Sequence, residues 1–147
     1  MGPRVLRMLD KRGMAADAQT MLDRFHMNVP PVNAPVAALS GGQRQAIAIA
    51  RAAAWESKLI VMDEPTAALG VSETRAVEEV ILELRARGYG IILISHNLDQ
   101  VFRLADRIWV LRRGRMIGNR VKNQCSPDDI VSMITGAAGL NQPGRPN

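Results

Sequence analysis

The chain has few of the features that would staple it covalently or hold it in a membrane. Among its 147 residues the only cysteine is Cys125, which cannot close an internal disulfide, so a disulfide scaffold is excluded and a reducing compartment fits. Cys125 lies in a polar Asn-Gln-Cys-Ser-Pro stretch with no His or basic pair close by, and reads as a bystander. No apolar run approaches the roughly 18–20 residues that span a bilayer. The opening stretch, MGPRVLRMLDKRG, is interrupted by charges and has no signal-peptide core. Lysine is confined to Lys11, Lys58 and Lys122, and none follows a glycine, so no G-x-x-x-x-G-K-[ST] phosphate cradle occurs. Internal repeats and sustained heptads are also lacking.

What remains is an ordinary globular composition, 47% hydrophobic and 22% charged, in a chain long enough to bury a real core. Basic residues exceed acidic ones, 19 to 14, for a net charge of +5. They are spread along the chain; the densest cluster is Arg112, Arg113 and Arg115 around a turn at Gly114. Spread charge of this kind is a solvated surface, and nucleic acid is not an expected partner.

Apolar spacing predicts helix from residue 4 to residue 25 (Val5, Leu6, Met8, Leu9, then Ala18, Met21, Leu22, Phe25), broken at Gly13. Pro30, Pro31 and Pro35 force an extended connector. Beyond Leu39-Ser40-Gly41-Gly42-Gln43, the series Ala46, Ile47, Ala50, Ala53, Ala54 traces a second helix. Leu59 to Met62 reads as a buried strand ending in Asp63-Glu64-Pro65. Ser72 is a fair cap for a helix with inner face Val77, Val80, Ile81 and Leu84. A strand at 91–94 runs into Ser95-His96, a short helix carries Val101, Phe102 and Leu104, and a third strand, 108–111, turns at Arg113-Gly114 into a hairpin. Ser126-Pro127-Asp128-Asp129 starts a last helix, with Pro at its first position and acids in its first turn, reaching Gly136. A Gly/Pro-rich tail, expected to be disordered, follows. The alternation of strand and helix predicts an α/β parallel sheet with flanking helices, which bind ligands at the strands' C-terminal ends. Three segments are expected: 1–56 helical, 57–135 α/β, and 136–147 tail.

Three motifs carry chemistry. In Leu39-Ser40-Gly41-Gly42-Gln43-Arg44-Gln45, a diglycine opens a helix, so unpaired amides and the positive end of the helix dipole could receive phosphate, with Ser40 adding a hydroxyl; the plain alternative is a Ser cap after a loop. Asp63 and Glu64 end an apolar strand, where adjacent acids are costly unless they hold a cation or move protons. Asp63 is placed to hold Mg²⁺ through water and Glu64 to polarise an attacking water, or the pair simply caps the next turn. His96, at the end of the following strand, could donate to a γ-phosphate oxygen, or be structural.

Taken together, in this order and separation, the three motifs closely resemble the C-terminal half of an ATP-binding-cassette (ABC) ATPase, over residues 15 to 135. The resemblance implies an incomplete P-loop NTPase fold with part of the helical signature subdomain. It implies a head-to-tail dimer with a second ATPase subunit, in which Ser40, Gly41, Gly42 and Gln43 clamp ATP held by the partner. Asp63 (as metal ligand), Glu64 and His96 would act on ATP and Mg²⁺ held by their own subunit. The wording of APVAALSGGQRQ, DEPTAALGV and ISHNLDQVFRLADRIWVLRRGR is similar to ATP-binding subunits of bacterial carbohydrate importers. Such subunits sit on the cytoplasmic face of the plasma membrane through transmembrane permease subunits. One departure is Gly70, where many members have Asp, which touches the coupling of the two sites. The phosphate loop is expected before Met1, in a longer protein. The isolated chain is then expected to be inactive on ATP, with strands 91–94 and 108–111 left without the strand that lies between them in the family. The alternative is a non-catalytic module that offers its signature segment to a complete partner.

Overall fold

The computed structural model describes residues 9–24, 29–54 and 58–137. They fall into two compact units, Met1–Ile92 and Leu93–Asn147. The boundary read at 56/57 therefore lies within the first unit, and the tail beyond 137 lies outside the described residues.

The first unit opens with α1 (Lys11–Arg24). Gly13 does not break it. The Gly13 N–H donates to Asp10 Oδ1 at 3.0 Å, so Gly13 sits in the first turn, under a capping carboxylate. Only Leu22 of α1 is buried; Val5, Leu6, Met8 and Phe25, expected to share its apolar face, lie outside the described residues. A 3₁₀ turn, Val36–Ala38, leads to α2 (Gly41–Ala54). Its buried face is Gly42, Ala46, Ile49, Ala50 and Ala53; all but Ile49 are small, and they let it approach α3 (Val71–Ala86) closely. The inner face of α3 is Val77, Val80, Ile81 and Leu84, as the spacing predicts. Its cap, however, is Gly70 rather than Ser72, because Glu73 reaches back to the Gly70 amide and starts the helix at Val71. The other end closes as a Schellman motif: Gly88, at φ +86°, donates to the Arg85 carbonyl, and Tyr89 donates to that of Leu84.

In chain order β1 (Leu59–Asp63) follows α2 and precedes α3, and it pairs in parallel with β2 (Gly90–Ile94) in a two-stranded sheet. β1 is buried on one face only, contrary to its expected full burial. Ile60 and Met62 are inside, whereas Leu59 and Val61 are 52% and 60% exposed. The apolar run Leu59-Ile60-Val61-Met62, with one bare face, keeps the composition of a strand covered on both.

In the second unit, α4 (Leu98–Leu104) precedes β3 (Arg107–Arg112) and β4 (Arg115–Val121), an antiparallel hairpin. Its turn has φ +49° at Arg113 and +72° at Gly114, the double left-handed geometry of a tight two-residue connection. α5 (Pro127–Thr135) packs Ile130 and Met133 onto Ile108 and Val110, with Leu98, Val101 and Phe102 alongside. Among the described residues the strands thus form two separate pairs rather than one continuous sheet, and no pairing joins 91–94 to 108–111.

Candidate functional site

The signature segment is a helix start built twice over. Ser40 Oγ accepts from the Gln43 amide at 3.2 Å, and Gln43 Oε1 accepts from the Ser40 amide at 3.0 Å, a reciprocal capping box. The Arg44 amide donates to the Ser40 carbonyl, while the Arg44 guanidinium reaches back to the carbonyl of buried Leu39 at 2.6 Å. Local sequence alone dictates this much.

The second layer comes from α3. Glu73 Oε1 accepts from the Gly42 amide at 3.4 Å, and Glu73 Oε2 from the Gly70 amide at 3.2 Å. The Gly70 amide, then the Gly42 amide and the Ser40 hydroxyl, hold the Glu73 carboxyl below the usual glutamate range. A carboxylate therefore already sits at the positive end of α2. This modifies the expectation of outward, unpaired amides: the Gly42 amide is engaged by Glu73 and the Gln43 amide by Ser40.

The diglycine also answers to packing. A Cβ on Gly42 would lie 2.8 Å from Glu73 Cβ and 3.2 Å from its Cα, and one on Gly41 would lie 2.9 Å from Leu69 Cδ2. Gly42 is buried, Gly41 and Gln43 are half-buried, and Ser40 is exposed. The four signature residues are thus held together as one helix end, with residues 69–73 against them.

Asp63 is the exposed last residue of β1. Glu64 follows, half-buried and at φ +47°, a left-handed conformation rare for a residue with a side chain. Such strain is retained where surrounding structure enforces it, often at functional sites. Here the enforcement comes from buried Pro65, an Ala67 amide donating to the Glu64 carbonyl at 3.0 Å, and a second left-handed residue, Ala68. The chain thus turns sharply at the strand tip, and the two acids project from consecutive residues with different backbone geometry. No group of three or more acids, His or Cys that could hold a metal occurs among the described residues.

His96 lies in the second unit, exposed, two residues past β2. Its neighbours are pinned: the Asn97 amide donates to Ser95 Oγ, Ser95 Oγ donates to Gln100 Oε1 at 3.0 Å, and the Gln100 amide donates to the Asn97 cap. Gln100 is completely buried. A neutral amide buried with its hydrogen bonds made rigidifies its surroundings, so the loop that carries His96 is preset.

Sequence reasoning passed over Glu73 and Gln100. Both stand three residues after a helix cap, which is a readable local signal; that Glu73 also reaches Gly42, 31 residues away, has none.

Residues 4–67 match the family described as ABC transporter. The chain is 48% identical over 132 residues to the fructose import ATP-binding protein FrcA of Rhizobium meliloti, covering 89% of this chain and 51% of that protein. It is 42% identical over 130 residues to the xylose/arabinose import ATP-binding protein XylG of Sulfolobus acidocaldarius, covering 88% and 52%. Among solved structures it superposes on a nucleotide-free ATP-binding cassette from an ABC transporter with a TM-score of 0.69 and 28% identity, over 84% of this chain and 51% of that one. The chain spans about half the length of these relatives.

Proposed function

Because this chain belongs to the ABC transporter ATP-binding family, we propose that it carries the signature and acid segments of an ATPase subunit that energises carbohydrate import. The carrying observation is the N-terminus of α2, an anion-holding helix end built from Ser40, Gly41, Gly42 and Gln43. The import branch is supported by the names of the two relatives, one for fructose and one for xylose and arabinose.

In this reading the α2 end faces the triphosphate held by a second, head-to-tail ATPase subunit. Ser40 supplies a hydroxyl donor and the helix end its partial positive charge. Toward nucleotide on its own subunit, Glu64 takes a proton from the attacking water and His96 donates to a γ-phosphate oxygen. Mg²⁺ would supply Lewis-acid stabilisation of phosphate charge. That ion is commonly bound by one or two carboxylates plus phosphate oxygens and water, so a single exposed Asp63 at the strand tip fits it. No described helix is long and apolar enough to cross a membrane. In this reading permease subunits carry the spanning part of the transporter.

The purified chain should show no Mg-ATP turnover above background, since no Gly-Lys phosphate cradle occurs in it. Fused behind the phosphate-loop half of a related import subunit, it should hydrolyse Mg-ATP. There Glu64→Gln should slow hydrolysis by about 10²–10⁴-fold while ATP-dependent pairing persists. Unchanged turnover in that variant would refute the role given to Glu64.

A second reading is favoured by the completeness of the signature end, closed by its own capping box and by Glu73. Here the chain serves as an interaction module, offering α2 to ATP held by a complete cassette. A stable, ATP-dependent mixed dimer with such a cassette, sensitive to Ser40→Ala but not to Glu64→Gln, would select it.

A further inference from the structure

The two oxygens of Glu73 do different jobs. Oε2 holds the Gly70 amide three residues back, a local cap that starts α3. Oε1 crosses to another helix and takes the Gly42 amide at the longer distance of 3.4 Å. An arriving phosphate would use this same Gly42 N–H. Two anions cannot share one helix end without strong mutual repulsion. The local bond to Gly70 can persist while the longer bond to Gly42 opens.

We propose that Glu73 is the residue that sets how tightly the signature helix takes a phosphate: its carboxylate is a built-in anion that holds the Gly42 amide until phosphate displaces it. The proposal rests on the reading that residues 40–43 face a nucleotide. Glu73 is a positioning residue, acting through the Gly42 amide it occupies.

The test is an amide-resonance titration of the full ¹⁵N-labelled chain with sodium tripolyphosphate at constant ionic strength. Three proteins are compared: wild type, Glu73→Gln, and Glu79→Gln, which removes the same charge from an exposed site on α3. Glu73→Gln should bind about five-fold more tightly than wild type, with shifts concentrated at 40–44, while Glu79→Gln stays within about two-fold. Should Glu73→Gln fail to fold, Glu73→Asp is read in its place: it keeps the charge but is one methylene too short to span both amides, and it should also bind more tightly than wild type. Equal affinities with shifts at 40–44, or an equal gain in Glu79→Gln, overturn the inference alone. Shifts elsewhere, or no binding by any variant, overturn both the inference and the phosphate-facing reading.

Discussion

Two helices of this protein start the same way and are finished differently. α5 begins at Ser126 with a capping box whose acid, Asp129, is its own third residue; the Ser126 amide and hydroxyl both donate to it at 2.8 Å. α2 begins at Ser40 with the same serine cap, but its third residue is the neutral Gln43. Its carboxylate is borrowed from Glu73, on a different helix. The α5 start is therefore complete within four residues, and its disruption is a local event. The α2 start depends on how α3 packs and on the turn at Gly70. A helix end that keeps its own acid is a structural stop, whereas one with a neutral third residue leaves its positive end to be shared or contested.

The largest stability effect should come from separating the borrowed acid from its helix. Gly42→Ala sets a Cβ against Glu73 Cβ and Cα, near-backbone atoms that cannot swing aside. Overpacking of about 1–3 kcal/mol should outweigh the roughly 1 kcal/mol gained in helix propensity. Chemical denaturation checks this, and a stabilised variant would show that α2 and α3 are less closely apposed.

Breaking the self-contained cap should cost less. Ser126→Ala is expected to lose about 1 kcal/mol. Hydrogen exchange should rise in the first turn of α5 and leave the amides of 40–44 unchanged, so faster exchange in α2 would contradict the local character assigned to this cap.

The smallest effect is in the pH dependence, where the two ends should behave alike. Hydrogen bonds from the Ser126 amide, then its hydroxyl, hold the Asp129 carboxyl below its ordinary range, as those from Gly70, Gly42 and Ser40 do for Glu73. A carboxyl depressed in the folded state stabilises fully above its unfolded value, and that contribution is lost as pH falls through the folded one. Both contributions should therefore be present at neutral pH and fade only in acid. Solvent screening keeps each small. Melting temperature against pH for Glu73→Gln should show a shallower acid decline than wild type; an identical slope would mean that the carboxylate is not held in solution.

Most of the elements were legible because they rest on short-range rules. The periodicity at Val77, Val80, Ile81 and Leu84 identified the buried face of α3, Arg113-Gly114 identified the hairpin, and Ser-Pro-Asp-Asp identified the start of α5. Two local readings failed for an equally local reason. A side chain three residues away decided the helix start, Asp10 beneath Gly13 and Glu73 beneath Gly70, and outweighed the propensity of the glycine or serine considered alone. The candidate site divided in the same way. The signature string, the paired acids and His96 were visible as strings of residue types, but the occupation of the Gly42 amide was not.

What the linear order of residues determined by itself is the set of elements, their caps and the chemistry available at each tip, since these depend on neighbours within about four positions. Tertiary structure alone decided which carboxylate meets which amide, why Gly42 leaves no room for a Cβ, and that β1 buries one face and bares the other. Those outcomes depend on the distance between α2 and α3 and on what lies above a strand, quantities set by packing between segments far apart in the chain.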